Sequence, residues 1–417
     1  ELKWRSAEFF LWFQEVISSP ILFNRFFKGI AIALETLVVK AMSVIQNMDR
    51  SRLEEYQFRR INKILSHTGS GRPIGALKEL ATFPVVGKQH MRDFFNTYPP
   101  ERLKNFFLVA TSGSTATPVR FYLSNKVLLR RSSAIHYAMK IVGVPHHSRI
   151  FRVNFNHLPF YKHQSLYLST RYIYQANPDD IVKKITAYDP QVLFGTVSDL
   201  ILFSKFVEKN PLQCHFLAIF VMGEYLSPNQ RSYFENLFNT DAYSVYGASE
   251  FGIIGQECRE KDGIHINEDL VRVEVAHEGA LLKNTGLAPG TIVVTSLYNT
   301  DPPLLRYSIG DVGRIVEQQC RCGLQSSRIL FEGRTSEFIT LSNNKKIPLF
   351  KIIASMMQAR KILLYQFEQP STEELNVKIV LSDTANEQEV LQKTKNLVLE
   401  SLGDDRRLLN VFVQAVS

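Results

Sequence analysis

The chain has 417 residues, 45% of them hydrophobic and 21% charged, with a formal net charge of +9 and four cysteines. That length can bury a large core across two or more domains, and sparse cysteines argue against a disulfide-stapled secreted fold. Basic residues are scattered in short pairs such as Arg59-Arg60 and Arg130-Arg131, too thin for a nucleic-acid footprint, so no nucleic-acid partner is expected.

Residues 1–48 are rich in aromatics (Phe9-Phe10-Leu11-Trp12-Phe13, Phe23, Phe26, Phe27), with charges interrupting every apolar run. They predict a helical arm with a broad apolar face. Its partners are the body of the protein or a second copy; the alternative is peripheral membrane contact. No 18-residue apolar run exists, so no transmembrane helix is predicted. The expected location is the cytoplasm, with membrane association through the arm as the variant. The chain starts at Glu1 rather than Met, so an upstream segment is expected.

Residues 49–67 predict a charged amphipathic helix with Leu53, Tyr56, Ile61 and Ile64-Leu65 on one face. The next marked stretch is Thr111-Ser-Gly-Ser-Thr-Ala-Thr-Pro118, between the apolar runs 106–110 and 119–123. A small hydroxyl-rich loop between strands suits phosphate, because its N–H groups can turn inward and its hydroxyls add donors. An ordinary Ser/Thr hairpin turn is the plainer alternative. A nucleotide-hydrolase phosphate loop is excluded by spacing, since no second Gly followed by Lys-Ser or Lys-Thr is present.

From 125 to 245, helical patterns (125–142, 178–187, 228–238) alternate with short apolar strands (150–153, 192–194, 217–221, 242–245), which predicts an α/β sheet core. Residues 264–316 turn strand-rich. The fold class is therefore α/β, with a large multi-sheet N-terminal domain (49–333) and, after the connecting residues 334–337, a small α+β C-terminal domain (338–417).

Four further stretches lie at strand ends or turns: Val221-Met-Gly-Glu224, Tyr243-Ser-Val-Tyr246-Gly-Ala-Ser-Glu250, Leu305-Arg-Tyr-Ser-Ile-Gly310-Asp311 and Phe331-Glu-Gly333-Arg334. A ring at a strand end can stack on a base, a carboxylate there can hold a hard cation, and an acid after a glycine turn suits ribose hydroxyls. Cys258-x₆-His265 and Cys320-x-Cys322 add three thiols and one imidazole, enough for a closed tetrahedral zinc site; free cysteines on two strand-end turns are the alternative. Cys214 is the odd one and is expected to be buried.

In this order the motifs resemble the adenylate-forming superfamily of acyl-CoA synthetases, and within it the phenylacetate–CoA ligase and CapK-like branch, from about Tyr56 to the end. The resemblance implies that Thr111, Ser112, Gly113, Ser114, Thr115 and Thr117 form the phosphate loop, with Thr111 and Ser114 catalytic. It implies that Tyr246 and Gly247 stack adenine, that Glu224 lies between adenine and the acyl group, that Asp311 binds ribose and that Arg334 precedes the interdomain hinge. Glu250 is the implied magnesium ligand, and some relatives place a structural zinc at positions matching Cys258, His265, Cys320 and Cys322. The acyl pocket is expected from Asn154–Phe160 and the approach to Gly223, with Phe155 and Phe160 suiting an aromatic or apolar acid and His157 as a further contact.

The implied reaction joins ATP and a carboxylic acid into an acyl-adenylate with release of pyrophosphate, followed by transfer to a thiol such as CoA. Alternatives are transfer to a carrier protein or to an amine or hydroxyl acceptor, and a catalytically retired binding protein attached to a membrane or partner. Departures from the family pattern are Ser336 in place of the acid after the hinge Gly-Arg, and Leu341-Ser-Asn-Asn-Lys345 in place of a glycine-containing loop that lines the thiol tunnel. The family's catalytic lysine follows the last small-domain strand, where this sequence reaches Ser417. The expectation is that this lysine lies beyond the chain or is lacking.

Overall fold

Apolar runs too short for helices become strands here, and the amphipathic segments between them become the helices that cover the sheet. The computed structural model describes residues 28–68, 73–96, 107–110, 119–154, 165–277, 280–281, 289–299, 303–334, 337–359, 361–382 and 386–416. The N-terminal elements are α1 (Lys28–Gln46), α2 (Arg50–Thr68), α3 (Lys88–Asn96), a hairpin of β1 (Phe107–Ala110) with β2 (Arg120–Leu123), and α4 (Asn125–Ile141). The alternating region gives β3 (Ile150–Val153), β4 (Ser165–Leu168), α5 (Thr170–Gln175), α6 (Pro178–Tyr188), β5 (Val192–Gly195), α7 (Val197–Lys209), β6 (Ala218–Met222), α8 (Pro228–Phe238) and β7 (Ala242–Ala248). The helix α7 adds to the predicted set. Then follow β8 (Gly252–Gln256), β9 (Ile264–Ile266), β10 (Val271–His277), β11 (Ala280–Leu281), β12 (Gly290–Ser296), β13 (Tyr307–Val316) and β14 (Arg328–Arg334).

Among the described residues these strands make a 12-stranded sheet, ordered β11-β10-β12-β13-β14-β9-β8-β7-β6-β5-β3-β4. The half from β4 to β7 is parallel. Ile150, Val192, Phe194, Phe220 and Tyr243 join the core on one face, with Val38, Ile61 and Ala134 from α1, α2 and α4. Phe151, Leu193, Ile219 and Val221 join the other, with Ile181, Phe203 and Phe234 from α6, α7 and α8. The chain runs from β3 outward to the edge strand β4 and returns on the other side of β3 with β5. Such a reversal opens a crevice at the carboxyl ends of the strands.

The structure corrects the expectation of a turn at Gly310. Tyr307 to Val316 is a single strand, and Gly310 makes no turn between two strands. Gly310 has φ +84°, and the register against β12 shifts in this stretch, so the glycine sits in a bulge. The bulge displaces Asp311 along the strand without ending it.

Helix α1 packs through Val38, Val39, Met42 and Ile45, all buried. The aromatic cluster Phe9–Phe13 lies outside the described residues. At the C-terminal end of α1, Gln46 Nε2 donates to Asp269 Oδ1 at 2.7 Å, and Tyr56 of α2 donates to the Asp269 carbonyl at 3.2 Å. Arg130 and Arg60 stack on the ring of Tyr298, which hydrogen-bonds Tyr56. The Arg130-Arg131 pair of the sequence is thus an internal strut rather than a surface patch. Cys214 is half-buried rather than buried.

The small domain comprises a hairpin of β15 (Phe338–Thr340) and β16 (Lys346–Pro348), α9 (Leu349–Met356), and the sheet β17 (Ile362–Ser371), β18 (Glu374–Leu381) and β19 (Asn410–Ala415), with α10 (Glu387–Ser401) between the last two strands. Ile352, Met356, Leu375, Val377 and Val398 form its own core. Leu363 instead enters the core under α8, where Gln230 Nε2 donates to the Leu363 carbonyl at 2.8 Å.

Asp269 is fully buried, and burial pushes its carboxyl up to about 6 against the attraction of Arg130 and the hydrogen bond from Gln46. The folded state therefore holds this proton more tightly than the unfolded one. The group's contribution is greatest below the unfolded value and falls as pH rises to about 6, by about 3 kcal/mol in all. Asp269→Asn keeps the acceptor for Gln46 and removes the charge. Urea denaturation should find it more stable than wild type at pH 7.5 by up to about 3 kcal/mol and nearly equal at pH 4; no difference at pH 7.5 would contradict this reading.

Candidate active site

The antiparallel pairing of β13 with β14 sets Asp311 directly opposite Arg334. Arg334 Nε lies 3.0 Å from Asp311 Oδ1, and the Tyr246 hydroxyl at the end of β7 donates to Asp311 Oδ2 at 2.7 Å. Burial raises the Asp311 carboxyl above its ordinary value, with the Tyr246 hydrogen bond and then Arg334 opposing. Burial, reinforced by Asp311, pushes the Tyr246 hydroxyl well above its usual range, so it stays protonated and donates. Beside it, Gly247 leaves no room for a side chain, since a Cβ would meet the Gly252 carbonyl oxygen at 2.5 Å.

Glu250 follows in the turn between β7 and β8 and is only 3% exposed. The Tyr307 hydroxyl donates to Glu250 Oε1 at 3.0 Å. Arg131 of α4 grips the same turn from behind, donating to the Ser249 carbonyl at 2.9 Å and the Glu250 carbonyl at 2.6 Å. Neither Tyr307 nor Arg131 is among the sequence-derived site residues. Tyr307 was visible inside the Leu305–Asp311 motif, and Arg131 only as a member of a basic pair.

Gly223 follows β6 directly with φ +89°, which favours glycine. The next residue, Glu224, takes hydrogen bonds from the Ser198 amide at 2.8 Å and the Ser198 hydroxyl at 2.9 Å. Its carboxylate thus sits on the N-terminus of α7, where the orphan amides and the helix dipole favour negative charge.

Gly223, Glu224, Tyr246, Glu250, Asp311 and Arg334 all line one cavity of about 1310 Å³ at the carboxyl ends of the parallel strands. The small domain supplies part of the wall through Phe350, Leu364 and Tyr365. Burial, then Glu224, pushes the Tyr365 hydroxyl up to about 12. Thr111, Ser112, Gly113, Ser114, Thr115, Thr117, Phe155, His157 and Phe160 lie outside the described residues.

A second cluster stands apart. One ligand atom each of Cys258, His265, Cys320 and Cys322 falls within 4.8 Å of the others. Cys258 Sγ is 3.8 Å from Cys320 Sγ, and Cys322 Sγ is 3.4 Å from His265 Nε2. Zinc bonds of about 2.3 Å to sulfur and about 2.0 Å to nitrogen give tetrahedral edges of roughly 3.5–3.8 Å, so the spacing fits. His265 Nδ1 lies 3.0 Å from Ser326 Oγ, the kind of outer hydrogen bond that fixes a ligand tautomer with Nε2 toward a metal. Burial lowers His265 to about 4 and raises Cys258 to about 12.

No family model matches the chain. Among curated proteins it is similar to "Protein CapK" of Staphylococcus aureus, 22% identical over 347 residues, which cover 78% of this chain and 74% of CapK. Among solved structures it is similar to 2-hydroxyisobutyryl-CoA ligase in the postadenylation state with 2-HIB-AMP, at TM-score 0.73, 16% identity, and coverage of 89% of this chain and 87% of that one. It is also similar to the amide bond synthetase McbA of Marinactinospora thermotolerans, at TM-score 0.53, 15% identity, and coverage of 75% and 65%. The fold is that of the adenylate-forming ligases. In sequence the chain resembles CapK.

Proposed function

We propose that this chain activates a carboxylic acid with ATP, forming an acyl-adenylate and pyrophosphate, and passes the acyl group to a thiol such as CoA. The observation that carries this reading is the convergence of Glu224, Tyr246, Glu250, Asp311 and Arg334, from four separate strands and the turns that follow them, on one cavity. A carboxylate is a poor electrophile until one oxygen becomes a good leaving group, and AMP is that group. No protein nucleophile is needed; positioning and charge neutralisation at the α-phosphorus suffice.

In this reading Asp311 accepts from the ribose hydroxyls, held in place by Tyr246 and Arg334, while the Tyr246 ring faces adenine. Arg334 places a cation beside the nucleotide at the hinge. Glu224 stands between the base and the acyl group. Glu250, oriented by Tyr307, is the ligand for Mg²⁺, a cation usually held by one or two carboxylates together with substrate phosphates. Bound there, the ion would neutralise charge on the triphosphate. Thr111–Thr117 is the proposed phosphate loop, with Thr111 and Ser114 donating to the triphosphate, and Phe155, His157 and Phe160 are proposed acyl contacts.

A second reading keeps the adenylation and changes the acceptor to a carrier-protein thiol, an amine or a hydroxyl. It draws support from the Leu341–Lys345 turn, where Asn344 takes the left-handed position (φ +63°) and Lys345 pairs with Asp405 at 2.5 Å. This turn lacks the glycine of the family's tunnel loop. That McbA is an amide bond synthetase shows that folds of this kind occur with other acceptors.

Asp311→Ala should weaken AMP binding by about 1–3 kcal/mol, the loss of charge-assisted hydrogen bonds, as read by calorimetry. Unchanged affinity would remove Asp311 from the ribose site. We also propose that Cys258, His265, Cys320 and Cys322 hold a structural Zn²⁺. Metal analysis should find about one zinc per chain, lost in Cys320→Ser together with a lower melting temperature; a metal-free wild type that melts no lower than a zinc-loaded sample would refute the site.

A further inference from the structure

The turn that carries Glu250 is held from outside the sheet. Strands β7 and β8 pair antiparallel as far as Ala248 opposite Gly252, so Ser249, Glu250 and Phe251 form a three-residue loop with no partners in the ladder. The Phe251 amide closes the loop on the Ala248 carbonyl at 3.0 Å. The carbonyls of Ser249 and Glu250 go instead to one side chain of another element. Arg131 of α4, itself 8% exposed, donates from Nη1 to Ser249 at 2.9 Å and from Nη2 to Glu250 at 2.6 Å. Buried main-chain carbonyls need such partners, and a planar guanidinium serves two of them at a fixed spacing.

Gly252 completes the arrangement. It has φ +75°, the left-handed position that closes three-residue hairpin loops. A Cβ there would also meet Arg131 Cγ at 2.7 Å, so the glycine admits the arginine stem against the loop. Arg131 shares a stripe of α4 with Leu128 and Ile135, and all three line the cavity. Elsewhere on its surface α4 is tied to α1: Lys140 Nζ donates to Ser43 Oγ at 2.6 Å, and Ser132 Oγ donates to the Glu35 carboxylate. Arg131 thus carries the position of a braced helix into the loop.

Glu250 is fixed at both ends. Its carboxylate takes the Tyr307 hydroxyl at 3.0 Å, and its main chain is set by Arg131. Mg²⁺ demands near-octahedral geometry with oxygens at about 2.0–2.1 Å, so a carboxylate ligand must arrive from a defined backbone position. Resting on the adenylation reading above, we infer that Arg131 is a positioning residue for the divalent cation, holding the loop from which Glu250 reaches Mg²⁺ on the bound triphosphate. Asp311 and Arg334, proposed for the nucleoside, belong to β13 and β14 rather than to this loop. Loss of Arg131 should therefore be felt at the metal and not at the nucleoside.

The test is calorimetry on the full chain with three titrants: AMP, ATP with excess EDTA, and ATP with excess Mg²⁺. In wild type Mg²⁺ should strengthen ATP binding. In Arg131→Met that metal-dependent gain should shrink by about tenfold or vanish, the usual cost of losing an outer contact to a metal ligand. AMP and metal-free ATP should bind within about twofold of wild type, a pattern that general loss of structure would not give. Arg131→Lys should keep part of the gain. Gly252→Ala leaves the guanidinium in place but pushes on its stem, and it should lose the gain as well; if Arg131→Met does not fold, this variant and Arg131→Lys decide by the same comparison. A full metal-dependent gain in Arg131→Met, a parallel fall in AMP affinity, or a wild type whose ATP binding ignores Mg²⁺, each overturns the inference. Wild type that binds neither AMP nor ATP is a different result and sinks the adenylation reading itself.

Discussion

The register of β13 against β14 is the constraint from which the site follows. It places Asp311 opposite Arg334, and the bulge at Gly310 offsets Asp311 so that the Tyr246 hydroxyl of β7 reaches it. A slip of one residue would turn Asp311 to the opposite face and remove both partners at once. The same strand sends Tyr307 to Glu250. One strand therefore orients two carboxylates from opposite ends of its first five residues, and both face a cavity that other strands merely enclose.

The distribution of charge in that cavity is uneven. Glu224, Glu250 and Asp311 line it, with Arg334 against Asp311 and Arg131 reaching between α4 and the turn at Glu250. Each carboxylate is held by a named donor: Ser198, Tyr307, or Tyr246 with Arg334. Such preorganised groups need little rearrangement when a charged ligand arrives. The small domain closes the remaining side, and its hold is more than surface contact, since Leu363 is buried in the core of the large domain and Gln230 both completes the cap of α8 and binds the Leu363 carbonyl. Any rotation of the small domain must withdraw that side chain first.

Much of this was legible in the sequence because strand ends announce themselves locally. Short apolar runs followed by Gly-Glu or Tyr-Gly marked β6 and β7, and the helical periods of 125–142 and 228–238 matched α4 and α8 within a residue. What stayed hidden was pairing over long separations. Tyr246 meets Asp311 across 65 residues and Tyr307 meets Glu250 across 57, and no local pattern encodes which hydroxyl serves which acid. Gly310 read as a turn because a glycine before an acid is the commoner turn signal, whereas here strand pairing on both sides carries the chain through it as a bulge.

The reaction proposed for the cavity joins an acid to AMP. Acid-dependent exchange of labelled pyrophosphate into ATP measures that step alone, without reference to the acceptor. Exchange should require both Mg²⁺ and a carboxylic acid and should be lost when the acid is replaced by its amide. AMP binding in the cavity with no exchange for any acid would contradict it and leave a nucleotide-binding protein in place of an enzyme.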